Sequence, residues 1–590
     1  MSVCFGPDGR GLKFSLVQQS ETLLEATESK KECKLKLMRS LWKQRRVDSG
    51  GNLEDALCLS SPSVGERKVN FSRIMSGLAD TFGDHEAVVN LERRRRLTFR
   101  EYHRITNQIA HILQGPLGLG KGDRYVCILN NDNLALFHWG MAAKSTSTCC
   151  HANYRDSLET HLYQIDLVKP KVVFLEHELM STHVSPLLER GIRIVVMDGC
   201  EESTPGVDVF SDLLTKAPTN NTDIEIDDRS HIILMRFTGG TTGNSKCAKY
   251  SLDNILACRD SFLELPDGDF HEGCRMLHIA PISHGSGMTV LPTLFSGGCT
   301  VTMNEPSLEN WCRYVQEERI THAFLVPTIA YRLLEMQEAN KFDLSSLQTV
   351  LYGAAPMSPS KAKALVERFG SIFVQVYGST EHLAATLTLG KNDHLIDQST
   401  EGKLASAGRR VTGAEVSICD NEGNPVPVGE LGEFYLRSRA TCLGYEGNPE
   451  KTEEEFTQGY WKSGDIGYAD ADGYLFLVDR KKDMIITGGF NVYATEVEAA
   501  INSHPSVLMS AVVGIPHEDW GEAVHAEIVL NGSSEVCEDD LVAHIRSQIG
   551  SFKTPKTFKV VDQLPTSAVG KVLRKDVRAK YWKSHNRRIA

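Results

Sequence analysis

From about residue 66 onward the apolar positions fall in short runs rich in β-branched residues, at 125–129, 172–175, 194–197, 232–235, 323–326 and 373–376, separated by stretches of helical character. Apart from Gln375 these runs are apolar rather than alternating, and strands alternating with helices imply parallel sheets covered on both faces by helices. After the charged run Asp479-Arg480-Lys481-Lys482-Asp483 a second alternation begins, with a helix predicted over 495–503 and strands near 507–513 and 526–530. The expectation is an α/β fold: a large N-terminal domain, 66–480, with mostly parallel sheets covered by helices, then a small C-terminal α+β domain, 481–590, mobile about a charged hinge.

Residues 1–65 do not share this pattern. Lys30, Lys31, Lys34, Lys36, Arg39, Lys43, Arg45 and Arg46 crowd one stretch ahead of Ser/Gly-containing segments. The segment reads as a basic N-terminal extension, a solvated flexible tail. The alternative places Leu35, Met38, Leu41 and Trp42 on one face of a basic amphipathic helix that docks on an anionic membrane or a protein partner.

At 590 residues the chain has room for more than one hydrophobic core. A net charge of −12 opposes bulk attraction to phosphate backbones, so nucleic acid is not an expected partner. No apolar run approaches the ~18 residues of a membrane span. The 15 cysteines have no C-x-x-C spacing, and Cys149 and Cys150 are adjacent. They read as reduced thiols, and the expected location is the cytoplasm. A homodimer is left open.

Candidate chemistry begins where the apolar run near 232–235 enters Phe237-Thr238-Gly239-Gly240-Thr241-Thr242-Gly243-Asn244-Ser245-Lys246. Glycines let successive backbone N–H groups turn around anionic oxygens, hydroxyls add donors, and lysine adds charge, so the loop suits a polyphosphate. It is not a Walker loop, because Ser245 and Cys247 flank Lys246. Two further loops, Tyr352-Gly353-Ala354-Ala355-Pro356 and Tyr377-Gly378-Ser379-Thr380-Glu381, each follow a predicted strand. Open α/β sheets bind ligands at the carboxyl ends of their strands, so the three loops are expected to share one crevice. There Tyr377 offers a face for a purine, Thr380 a hydroxyl for phosphate and Glu381 a hard oxygen ligand for Mg²⁺.

With these loops, Pro281-Ile282-Ser283-His284, Trp461-Lys462-Ser463-Gly464-Asp465, the run from Asp479 to Asn491, and Gly570-Lys571, the chain resembles the adenylate-forming superfamily, closest to bacterial-type fatty-acyl and related acyl-CoA synthetases. The resemblance implies that ATP, Mg²⁺ and coenzyme A are used to turn a carboxylic acid into an acyl-adenylate and then a thioester. Loading of a separate carrier protein is the alternative. By resemblance Lys571 serves the reacting carboxylate and α-phosphate, Glu381 holds Mg²⁺, and Thr238, Thr241, Thr242 and Lys246 contact the phosphates, with Gly239, Gly240 and Gly243 shaping the loop. Gly353, Ala354, Ala355, Tyr377 and Gly378 frame the adenine, while Asp465 and Arg480 hold the ribose. Lys482 is the hinge, Gly488 and Gly489 approach the pantetheine after the small domain turns, and His284 gates the acyl and thiol tunnels. The chain departs from the family at Gly239, Ser245, Cys247 and Ala494, where Ser, Pro, Gly and Pro are usual. A medium- or long-chain fatty acid is the first expectation, an aryl or steroid-derived acid the second, with the pocket expected around His284, 329–333 and 384–388.

Overall fold

The strand Val172–Leu175 has no polar residue and is buried along its length, as an interior parallel strand requires. In the computed structural model, which describes residues 68–198, 204–238, 245–395, 402–532, 536–567 and 570–582, it belongs to a seven-stranded sheet. The order is Cys247–Ser251, Ile232–Phe237, Thr148–Asn153, Arg124–Leu129, Val172–Leu175, Arg193–Val196, Val207–Val209, and only the edge strand Cys247–Ser251 is antiparallel to its neighbour. A nine-stranded sheet has six parallel strands at its centre, Phe373–Tyr377, Thr349–Gly353, His322–Leu325, Arg275–His278, Cys299–Thr302 and Glu86–Asn90, with antiparallel strands at both ends. One apolar core draws on both sheets, combining Tyr125, Phe174 and Leu234 with Met276, Leu351 and Val374.

Helices start where the local sequence stops a strand. Thr98 and Glu101 form a reciprocal cap on Phe99–Gln114, and Ser251 with Asn254 does the same for Leu252–Leu263. Pro327 opens Pro327–Glu335, where its missing N–H is not needed. All six strands expected in the large domain are present within two residues of the expected bounds.

The sequence pattern did not foretell the five-stranded antiparallel sheet of Glu415–Cys419, Gly432–Arg437, Tyr460–Ala469, Phe456–Thr457 and Leu475–Arg480. Its strands are half-exposed and carry charges, so they lack the apolar runs that marked the others. The C-terminal α+β domain follows, with Ile485–Thr487, Phe490–Val492, Val507–His517, Gly521–Leu530 and Thr557–Val560 in one sheet. Helices Ala494–Asn502 and Glu538–Lys553 share a core with that sheet through Val497, Ile501, Leu541 and Ile545. Among the described residues no helix is long and apolar enough to cross a membrane. The basic N-terminal extension lies outside the described residues.

Candidate active site

A cleft of about 1280 Å³ is lined by Thr238, Lys246, His284, Ala354, Gly378, Thr380 and Glu381 of the large domain, Arg480, Lys481 and Lys482 of the connecting run, and Ser567 and Lys571 of the small domain. The three loops expected to converge therefore do so. Gly239, Gly240, Thr241, Thr242 and Gly243 lie outside the described residues, but the neck of their loop is closed by the Thr238 N–H donating to the Lys246 carbonyl at 2.8 Å.

Beyond that neck, Lys246 Nζ donates to both oxygens of Glu455, at 2.9 and 2.7 Å, and to the Tyr445 hydroxyl at 2.9 Å. Tyr445 Oη is 3.0 Å from Glu381 Oε1 and 2.5 Å from Glu455 Oε2, so two carboxylates share one phenol proton. Tyr445 arrives there because residues 443–446 run along the edge strand, with the Leu443 N–H donating to the Lys249 carbonyl and the Glu446 N–H to that of Cys247, each at 2.8 Å. Neither Tyr445 nor Glu455 was foreseen from sequence.

The two remaining loops leave adjacent parallel strands whose backbones crowd. A Cβ on Gly353 would stand 2.1 Å from the Val376 carbonyl oxygen, and one on Gly378 2.4 Å from that of Ala384, so both positions admit only glycine. Ala354, at the cleft, has φ +66°, a left-handed conformation that alanine rarely adopts and one that marks a tightly constrained turn. Ala355, next to it, is half-buried and does not line the cleft. The Tyr377 hydroxyl donates to Asp465 Oδ2 at 2.7 Å, and Arg480 Nε donates to Asp465 Oδ1 at 3.1 Å. Asp465 and Arg480 are direct register partners on antiparallel strands, which is why two residues fifteen apart meet.

The Thr328 hydroxyl of the large domain donates to the Gly570 carbonyl of the small domain at 2.6 Å and seats the loop that carries Lys571. Repulsion from Arg480, then burial, pushes the Lys571 amine down to about 7, against an opposing pull from Asp465. Burial and Arg480 lower Lys482 to about 8. His284 is held neutral, its pKa pushed down to about 3 by burial and by Arg236, and its Nδ1 meets the Ser283 hydroxyl at 2.9 Å. Gly488 and Gly489 are not brought to the cleft. They turn the hairpin between Ile485–Thr487 and Phe490–Val492, where the Gly488 N–H donates to the Trp520 carbonyl at 3.0 Å.

Residues 78–446 match the family model described as AMP-binding enzyme, and residues 496–571 match that of the AMP-binding enzyme C-terminal domain. The chain belongs to the AMP-binding enzyme family. A medium/long-chain-fatty-acid–CoA ligase, FadD8 of Mycobacterium tuberculosis, is 31% identical over 82% of this chain and 86% of its own. A fatty acid–[acyl-carrier-protein] ligase, ScoC of Streptomyces coeruleorubidus, is 30% identical over 84% of this chain and 93% of its own. Among solved structures, the amide bond synthetase McbA of Marinactinospora thermotolerans superposes with a TM-score of 0.75 at 27% identity, covering 86% of this chain and 99% of that one. The adenylate-forming assignment and the acid–thiol ligase family expected from the motifs are thereby shown.

In this AMP-binding enzyme a further arginine ties the connecting run to the small domain. Arg574 Nη1 donates to Asp479 Oδ1 at 3.0 Å and lies 3.7 Å from Asp483, while Nε donates to Glu498 Oε1 at 2.8 Å. Both acids that bound the Arg480-Lys481-Lys482 run thus grip a residue three positions after Lys571. Sequence reasoning missed Arg574, though its spacing from Lys571 was a usable signal. It also missed Arg236, the single charged residue in the strand Ile232–Phe237. The stretches 329–333 and 384–388, expected to shape the pocket, do not line the cleft, whose apolar wall is made by Phe262, Met288, Phe324, Val326 and Val376. Among the described residues no group of three His, Cys, Asp or Glu side chains is placed to hold a metal. Glu381, beside the loop lysine, does fit Mg²⁺, which binds through one or two carboxylates plus phosphate oxygens and water.

Proposed function

We propose that the chain is an acyl-CoA synthetase acting on a carboxylic acid with a substantial apolar body, a medium- or long-chain fatty acid or an aryl acid. The observation that carries this reading is the placement of Lys571, a lysine from the small domain, in the same cleft as the phosphate-loop neck, Glu381 and Arg480, whose guanidinium is held from behind by Asp465. A carboxylate oxygen attacks the α-phosphorus of ATP, and the bond to the bridging oxygen breaks, releasing pyrophosphate. Two anions meet in that step, and Lys571 and Arg480 supply the positive charge that offsets their repulsion. Asp465 accepts hydrogen bonds from the ribose hydroxyls. Glu381 would hold Mg²⁺, which would supply neutralising charge to the phosphate oxygens, and Lys246 leaves Glu455 for the phosphates. In the second half-reaction the sulfur of coenzyme A attacks the acyl carbonyl, the carbon–oxygen bond to AMP breaks, and AMP leaves. The small domain turns about Lys482 between the two steps and brings Gly488 and Gly489 toward the thiol.

FadD8, named a fatty-acid–CoA ligase, supports coenzyme A as acceptor. ScoC, named a ligase to an acyl-carrier protein, supports the second reading, in which the acyl group passes to a separate carrier. Isotope exchange of pyrophosphate into ATP with a panel of acids, followed by AMP release with and without coenzyme A, tests both. Acid-dependent exchange with CoA-dependent thioester is expected. Exchange without thioester formation would favour the carrier reading, and exchange that ignores added acid would remove both.

A further inference from the structure

Arg236 is 3% exposed, yet among the described residues no carboxylate lies within ion-pair distance of its guanidinium. Nε and Nη2 donate to one acceptor, the Ser283 carbonyl, at 3.0 and 2.8 Å, and the guanidinium carbon lies 4.5 Å from the centroid of Trp139. Its ionisable neighbours are the neutral phenol of Tyr250 and thiol of Cys258, and it depresses rather than neutralises the imidazoles of His138 and His284. An arginine keeps its charge even here, and a buried charge is retained only where something compensates it. A carbonyl and an indole face give partial compensation.

The same side chain lines the cleft, together with His284 and the otherwise apolar Phe262, Met288 and Phe324. Arg236 stands in register beside His151 on the neighbouring parallel strand, and His151 also lines the cleft. Where apolar side chains and a buried cation converge, as Phe262, Met288 and Phe324 do with Arg236, the cation orients the ligand. Lys571, Arg480 and Lys246 already provide positive charge for the carboxylate being activated and for the phosphates. Resting on the adenylating role argued above, we propose that Arg236 selects the acid: the substrate is an apolar acid bearing a second anionic oxygen group, a second carboxylate above all, which pairs with this guanidinium while the first is adenylated.

The test is acid-dependent pyrophosphate exchange with matched pairs of straight-chain acids, the monocarboxylate and the α,ω-dicarboxylate of equal carbon number from six to twelve. The wild-type protein is expected to prefer the diacid by at least tenfold in kcat/KM at its best length. Arg236→Gln keeps a donor for the Ser283 carbonyl without the charge, and it should lose tenfold or more with the diacid while leaving the monoacid within threefold. Arg236→Lys should recover part of the diacid rate. Stabilisation of the wild-type protein against heat by the diacid, in the absence of ATP, should vanish in Arg236→Gln. No diacid preference in the wild-type protein overturns the proposal even if no variant folds. Equal losses with both acids would also overturn it and make Arg236 a brace for the Ser283–His284 backbone. If no acid supports exchange, the adenylating reading itself falls, a result distinct from exchange with monoacids alone.

Discussion

Lys571 is a cation only while the pH stays below about 7, because Arg480 and burial oppose its proton. Bound triphosphate adds negative charge and raises the amine's pKa, so free enzyme and nucleotide complex should titrate differently. The expected outcome is that kcat/KM for ATP falls as pH rises past about 7, while kcat at saturating ATP holds to higher pH; parallel pH profiles of the two parameters check this. Lys571→Ala should lower acyl-AMP formation by about 10²-fold or more, the effect of losing one preorganised electrostatic group, and leave thioester formation from supplied acyl-AMP intact. Glu455 poses the opposite case, since in this structure it holds the lysine that the phosphates need. Glu455→Gln should lower the KM for ATP by about fivefold, the equivalent of releasing a ~1 kcal/mol ion pair, and a rise in KM measured by exchange kinetics would instead make Glu455 a working ligand. At this scale the sequence revealed residues whose motifs are contiguous, such as Tyr377 to Glu381. Glu455 and Arg236 escaped it because their partners are 209 and 47 positions away, and nothing local marks the contact.

Elements were legible in proportion to how completely they are buried. Val172–Leu175 and Phe373–Tyr377 announced themselves as apolar runs. Tyr460–Ala469 and Leu475–Arg480 did not, although both carry motif residues, because each presents polar side chains to the cleft or to solvent. The antiparallel pairing that sets Asp465 against Arg480 was therefore invisible even though both residues were chosen. Leu475–Arg480 ends at the proposed pivot, and Arg574 ties that pivot to the small domain through Asp479 and Asp483. Arg574→Ala would leave Glu498, Asp479 and Asp483 buried around a lost cation, and breaking such a network costs about 3–5 kcal/mol. Thermal unfolding should record that loss. Adenylation should fall more than thioester formation from supplied acyl-AMP, since Lys571 sits on the same segment. Lys482→Pro, which fixes φ at the pivot, should show the reverse bias between the half-reactions.

For the whole molecule, buried histidines set the response to acid. Burial lowers His161, His322 and His382 from 6.5 to about 4. Between those values the unfolded chain binds protons that the folded chain refuses, so their contribution to stability is full above 6.5 and is lost as pH falls toward 4. Each histidine that excludes its proton adds about 1.4 kcal/mol per pH unit to that slope. Melting temperatures measured from pH 7 down to pH 4 should fall steadily, and a flat profile would show that these rings accept protons in the folded state. The two-domain division was visible in the sequence because the charged run at 479–483 interrupts two stretches of alternating elements. The way Thr328 of the large domain meets Gly570 of the small one was not, since a half-buried helix threonine and a loop carbonyl leave no pattern.

The distribution of thiols offers a practical handle on that same junction. Of the eleven described cysteines ten are buried, and Cys537, just ahead of the helix Glu538–Lys553 on the small domain, is exposed. A maleimide dye or spin label has one described address, and it rides on the part of the chain proposed to move. With Cys4, Cys33, Cys58 and Cys200 changed to serine, a reporter at Cys537 would follow each turnover in real time. It would turn a question usually put to trapped crystals into one answered by a fluorescence or resonance trace.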